Sequence, residues 1–355
     1  MASGTIFTLG IMGIVFIIGI IFMIRHFRSH QREEGIAYFI IMFGSEVVAT
    51  SFGTLDDKII AFLRHNDVDT NYAQIISGFI LIGIGVFLMF HSRNKMYILN
   101  LNGMFHDRRI DNHHKEVGLS PFQFKEKEVD FVRLYKKTMN ADIAAEIIEE
   151  IKHKVEVFKQ ESKDKKRGYT GIASIPFVLF AGKYFERSVM HDYFEYDKFQ
   201  QVYYRLTSKH RFPKLSLSQN DAITRLQSIH CVEVVIAISI TASIRAEQLV
   251  QFTCPQLYLS VPNPNDNLIK HKEQLHSYVE KTYDVLKETH ERIPNLKKIH
   301  LVISSQSCFA FKLGQLIEDT RMPMVISYQY NAQSSPKYPW GIIINGDQKG
   351  DFVQF

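Results

Sequence analysis

Apolar positions are unevenly distributed along this chain. Two uncharged runs, Thr5 to Ile24 and Tyr72 to Phe90, precede residue 92. At 1.5 Å per residue, about 20 residues cover about 30 Å, the thickness of a bilayer core. The pattern predicts two membrane spans. Between them, Gly35 to Phe52 is nearly long enough to span but carries Glu46 and several small residues, which makes it a candidate third span or an interfacial segment. Arg25, Arg28 and Arg32 precede this segment, and Asp56, Asp57, Asp67 and Asp69 follow it. With two spans or three, everything after about residue 92 is expected in the cytoplasm, and three spans best satisfy the bias of positive charge to that side. No Lys or Arg precedes the first run and no small-residue cleavage site follows it, which argues against a cleaved signal peptide. Gly10, Gly13 and Gly19 in the first run, with Gly78, Gly83 and Gly85 in the second, permit close helix packing.

The membrane module is therefore expected over residues 1–91. Residues 92–118 turn polar around Asp107 to Glu116 and read as a juxtamembrane linker, with His113 and His114 solvated rather than metal-bound. From residue 119 to 355, strand-length apolar stretches alternate with helical patterns, the signature of an α/β fold with a largely parallel sheet. Val232 to Thr241, Gln256 to Val261 and Ile299 to Ile303 read as strands. His271 to Ile293 reads as a helix with Leu275, Val279, Tyr283 and Leu286 on one face.

The chain also echoes itself. Gly171 to Phe185 lies without gaps over the stretch that begins at Val302, so that Gly182 falls on Gly314. Phe177, Ala181, Tyr184 and Phe185 then coincide with Phe309, Leu313, Leu316 and Ile317, one helical face in both copies. Downstream, Phe194-Glu195-Tyr196 parallels Tyr328-Gln329-Tyr330, and upstream the helical Ala141 to Glu161 parallels His271 to Ile293. The order predicts two related α/β halves fused head to tail.

Ligands of open α/β sheets sit beyond the carboxyl ends of the strands. Ser304, Ser305, Gln306 and Ser307 occupy such a place, between a strand and the first turn of a helix. Free N–H groups there favour an anion, and hydroxyl and amide groups read phosphate or a base edge. The alternative is helix capping by Ser305 or Ser307, which needs no ligand. The glycines of a serine-nucleophile elbow are missing, Cys308 falls inside the helix, and the His191-Asp192 dipeptide lacks further metal ligands. Neither a catalytic constellation, a metal site nor a cofactor is expected. Cys231, Cys254 and Cys308 are too few and too separated for a disulfide framework and suit a reducing compartment. A net charge of +5 over 355 residues does not call for a polynucleotide, yet leaves room for a small polyanion. Two such turns across a pseudo-dyad would form one composite pocket, with Tyr196, Tyr328 and Tyr330 as stacking surfaces for bases.

IASIPFVLFAG with YFEY downstream, VISSQSCFAFKLG with SYQY and YPWGIII downstream, and the strand VVIAISITASI together resemble the SAVED domain of bacterial anti-phage (CBASS) effectors. With the N-terminal module, the chain is similar to their transmembrane members. The resemblance implies two fused CARF-like Rossmann halves that bind a cyclic di- or trinucleotide made by a partner synthase. It places Ala173, Ser174, Ile175, Pro176, Ser239, Thr241 and Ser304 to Ser307 around the pocket, with Tyr196 and Tyr330 beside them. Because Ile175-Pro176 stands where the second half has Ser307-Cys308, the pocket should be asymmetric. The implied protein is a multi-pass inner-membrane receptor, not an enzyme, that forms homo-oligomers on binding ligand and disrupts membrane lipid to abort infection. A membrane-tethered nuclease or phosphohydrolase and a ligand-gated channel are the alternatives.

Overall fold

A computed structural model of the chain describes residues 17–25, 32–51, 71–105, 109–120, 123–186, 188–209, 211–218, 222–227 and 231–355. They fall in two compact units, one within residues 1–95 together with Gln160–Lys165, the other Met96–Lys159 with Lys166–Phe355.

In the first unit residues 17–25 are helical, followed by α1 (Arg32–Thr50) and α2 (Tyr72–Arg93). Asn71 caps α2, its side-chain oxygen accepting the Gln74 N–H at 3.2 Å. Among the described residues, α2 is the one helix long and apolar enough to cross a membrane. Most of the expected first span lies outside the described residues, as do Gly10 and Gly13. The candidate third span is helical as α1, and it packs against α2 through small residues. A Cβ on Gly78 would meet Val48 Cγ2 at 2.5 Å, and one on Gly85 would meet Ile41 Cγ1 at 2.6 Å. Gly83 faces open space instead, whereas Gly19 abuts Met42. Within this unit Glu34 and Lys165 form a buried ion pair.

The second unit contains two sheets. The first comprises β1 (Met96–Asn102), β2 (Phe124–Asp130), β3 (Lys166–Ile172), β4 (Asp192–Asp197) and β5 (Val202–Arg205) in the order β2-β1-β3-β4-β5, with α3 (Ala141–Glu161) and α4 (Ile175–Phe185) as connections. The second comprises β6 (Ser216–Leu217), β7 (Glu233–Ser239), β8 (Gln256–Ser260), β9 (Lys298–Ser304), β10 (Met324–Gln329), β11 (Trp340–Ile343) and β12 (Phe352–Gln354), with α5 (Lys272–Arg292) and α6 (Ser307–Gly314). Its order is β12-β11-β10-β9-β7-β8-β6, so the run β8-β7-β9-β10-β11 repeats the topology of the first sheet. In each half four strands run parallel and the last of the five is antiparallel. The expected α/β duplication is therefore the observed architecture.

β1 corrects the linker boundary. Residues 92–118 contain a fully buried strand in the interior of the first sheet. Two asparagines disguise it as polar chain. Asn100 donates to Glu126 at 2.6 Å and Asn102 to Glu128 at 3.4 Å, both on the neighbouring strand, so each amide N–H finds a carboxylate acceptor inside the sheet.

β3, α4 and β4 begin 132 residues before β9, α6 and β10 respectively. That spacing matches the alignment of Gly182 on Gly314 but corrects the aromatic echo by two positions, since Tyr196 corresponds to Tyr328 and not to Tyr330. The glycines sit where α4 crosses α6. A Cβ on Gly182 would overlap the Phe311 carbonyl, and one on Gly314 would overlap the Leu179 carbonyl. Leu179 and Phe311 are themselves 132 apart, so the contact is reciprocal about a pseudo-dyad. Above it the Tyr169 and Phe311 rings stack with centroids 3.9 Å apart.

Replacing Gly182 or Gly314 by Ala forces two helix backbones apart and is expected to cost about 1–3 kcal/mol, at the upper end of that range. Denaturant unfolding of the two variants checks this, with Gly83→Ala, which meets nothing within 4 Å, as the unaffected control.

Candidate functional site

The crossing of α4 and α6 brings two short connections together. Ala173-Ser174 leads from β3 into α4, and Ser305-Gln306 leads from β9 into α6. Between them lies a cavity of about 170 Å³ at the carboxyl ends of β3, β4, β9 and β10. Of the residues expected around a pocket, Ala173, Ser174, Ile175, Tyr196, Thr241, Ser305, Gln306 and Ser307 line it. Pro176, Ser239, Ser304 and Tyr330 do not. Pro176 is buried at the start of α4, and Ser239 accepts the Ile244 N–H at 3.0 Å. Tyr330 packs against Tyr338, ring centroids 5.5 Å apart, away from the cavity.

The polar groups of the second turn are engaged inside the protein. Ser304 Oγ lies 2.9 Å from Thr241 Oγ1 and accepts the Ala242 N–H at 3.0 Å, tying the end of β9 to residues 241–242. Gln306 accepts the Ile269 N–H and donates to the Ile269 carbonyl at 3.0 Å and to the Tyr204 hydroxyl at 2.7 Å. Its amide is thus a clamp on the loop before α5. Ser305 Oγ donates to the Gln306 carbonyl at 3.1 Å, and Ser307 Oγ pairs with the Tyr169 hydroxyl at 2.7 Å. Neither serine caps α6, because the N-cap residue is Gln306 and it makes no side-chain cap.

The cap comes from another strand. Glu195 of β4 is buried, and its carboxylate accepts the Cys308 N–H at 2.6 Å. The amino end of α6 therefore already holds a carboxyl oxygen, in the place a phosphate oxygen would take. The duplicate position explains why only one half has this device. Pro176 corresponds to Cys308 and has no N–H to donate, and Ser327 corresponds to Glu195. The expected asymmetry of the two turns is thus matched by an asymmetry in the strands.

Burial raises the Glu195 carboxyl to about 7, against the hydrogen bonds from Cys308 and the charge of Lys198, which lower it. The Cys308 thiol is buried beside it and pushed up, so it is packed rather than reactive. Elsewhere, the His191-Asp192 dipeptide has a structural role. Burial opposes ionisation of Asp192, but Arg205 and Lys272 outweigh it and hold the carboxyl below its usual range.

Sequence reasoning missed Glu195, Lys198, Phe199, Asp266, Asn267 and Gln329, which also line the cavity. Glu195 carried a usable signal, a carboxylate in mid-strand between Tyr193-Phe194 and Tyr196. Lys198 and Phe199 lie in the β4–β5 connection, where an exposed phenylalanine in a polar turn was a second signal. The Gln329 side-chain oxygen is buried without a hydrogen-bond partner among the described residues.

The proton on Glu195 makes a sign-definite prediction. With the folded carboxyl at about 7 and its ordinary value at 4.5, the folded state retains a proton that the unfolded state has released. This group's contribution to stability falls as pH rises from 4.5 to 7 and is level above that, a change on the order of 3 kcal/mol. Glu195→Gln retains an oxygen for the Cys308 N–H and loses the titration. Melting curves of both proteins across this pH range should diverge progressively in favour of the variant; parallel curves would contradict the assignment.

Residues 151–344 match the family described as the SMODS-associated and fused to various effectors sensor domain, SAVED. No curated protein shows significant similarity. Among solved structures, the Acinetobacter baumannii Cap4 SAVED/CARF-domain containing receptor with the cyclic trinucleotide 2'3'3'-cAAA aligns at 16% identity and a TM-score of 0.47, over 76% of this chain and 56% of that one. The same receptor with 3'3'3'-cAAA gives 14% and 0.44, over 78% and 55%. The Moraxella osloensis Cap4 receptor gives 15% and 0.42, over 73% and 52%. The chain thus spans little more than half the length of these receptors. The family match covers more than half of the sequence and reaches into both halves of the duplicated α/β fold, and on that ground the chain belongs to the SAVED family.

Proposed function

We propose that this protein is a membrane-anchored receptor whose SAVED domain binds a cyclic oligonucleotide in the cavity between the β3–α4 and β9–α6 turns. The observation that carries the reading is that cavity itself, built at the carboxyl ends of the strands of both halves within a domain of a sensor family. Its asymmetry favours a ligand whose positions are not all equivalent. The cyclic di- or trinucleotide class follows the family resemblance and the paired arrangement of the turns.

The helix Tyr72–Arg93 supports a membrane anchor through its length and uniform apolarity. In this proposal the domain faces the cytoplasm of a bacterial cell, ligand favours self-association, and the gathered membrane segments break the bilayer and abort infection. Ligand drives assembly only by binding the assembled state more tightly. The protein acts as a receptor and leaves its ligand intact.

The test uses the full chain reconstituted in dye-loaded vesicles. The two cyclic tri-adenylates named above, cyclic di-AMP and cyclic di-GMP are added in turn. One of them should bind, release dye and be recovered unchanged, with dye release rising steeply with protein density. Conversion of the nucleotide would identify an enzyme, and ion currents of fixed unitary size without dye loss would identify a channel. A soluble fragment for binding work must begin before Met96, since a start at residue 119 removes β1 from the interior of its sheet.

A further inference from the structure

The hydroxyls and the amide of the second turn are engaged within the protein, so contacts to a ligand fall largely to the groups that face outward around the cavity. Two connections supply them. The β4–β5 connection carries Lys198 and Phe199, and the loop before α5 carries Asp266 and Asn267. Phe199 is 77% exposed, the most exposed large apolar side chain among the described residues. An isolated surface phenylalanine is ordinary. This one lines the cavity, and its backbone is held. Asp197 Oδ1 accepts the N–H of Phe199 at 2.9 Å and of Gln200 at 3.0 Å, and Gln201 turns back with φ +57°. The ring is therefore displayed on a pinned turn and stacks on no described aromatic. Beside it, Lys198 makes no ion pair with a described residue and is exposed. On the opposing loop, Asp266 is exposed and Asn267 holds a left-handed conformation, φ +57°.

We infer that Phe199 is the base-stacking residue of the site and that Lys198 is its phosphate contact, with the Asp266 carboxylate accepting from a base amino group or a ribose hydroxyl. This rests on the proposed binding of a cyclic oligonucleotide and assigns its recognition to residues outside the serine turns. An aromatic face and an adjacent ammonium on one turn match the alternation of base and phosphate along a nucleotide chain. The second half offers no equivalent pair. Its β10–β11 connection is longer, residues 330–339, and its Tyr330 ring is already packed on Tyr338. Stacking is accordingly one-sided, and one base of the ligand is held differently from the others.

The same four cyclic nucleotides are titrated into the full chain in detergent micelles, and melting temperature is recorded alongside. For a nucleotide that binds, Phe199→Ala should weaken affinity by roughly 5- to 150-fold, with melting temperature unchanged because the ring is solvent-exposed. Phe199→Trp should retain affinity, with ligand-dependent quenching of the new indole. Lys198→Ala should lower affinity and flatten its dependence on salt. Equal affinity of wild type and Phe199→Ala overturns the inference while the binding site stands. Unchanged affinity with impaired self-association also overturns it and gives the ring to a second copy of the chain. Binding of none of the four nucleotides by the wild type overturns the reading of the site, and this inference falls with it.

Discussion

Two helices that meet with no side chain between them govern the geometry of the sensor domain. At the α4–α6 crossing each glycine lies against a carbonyl of the other helix, and the contact is its own image under a shift of 132 residues. Backbones this close leave no freedom to slide. The two connections that enter these helices are consequently brought face to face, and the cavity between them follows from the crossing. Tyr169 on Phe311 adds a stacked pair across the same line, so the core of the domain is continuous through both halves.

Symmetry of backbone has not produced symmetry of chemistry. A proline at the start of α4 removes the amide that its counterpart, Cys308, supplies in α6. A carboxylate accompanies that amide on the facing strand, and a serine accompanies the proline. An amide at the start of the second half's helix is thus satisfied from within. The buried carboxylate has a high affinity for its proton because burial opposes its charge more strongly than the helix end favours it. The cavity is as much a junction of internal hydrogen bonds as an open receptacle, and Lys198 and Phe199 stand exposed at its rim.

Much of this architecture was legible in the sequence, for reasons that differ by element. Buried β-branched runs such as Val234–Ile238 show as strands because parallel strands covered on both faces have no polar side. The glycine pair was visible because a repeated helical face carries it at one offset. β1 was hidden because it follows the apolar α2 within a few residues and because Asn100 and Asn102 look solvated until Glu126 and Glu128 are seen beside them. The positions of the turns were readable from the adjacent helix periodicity, but the direction of their side chains was not. The groups that engage Gln306 lie 37 and 102 residues away, and Cys308 meets a carboxylate 113 residues away, separations over which periodicity carries no information.

The gapless block that runs from β3 through β4, and from β9 through β10, has a further consequence for how such a domain diversifies. An insertion inside the block would shift one glycine out of its crossing, whereas the adjoining connections already differ, four residues between β4 and β5 and ten between β10 and β11. Packing thus divides the chain into a part that must keep its length and a part that is free to change it. Since one of these variable connections, that between β4 and β5, borders the cavity, the rim of such a domain can be remodelled while its frame stays the same.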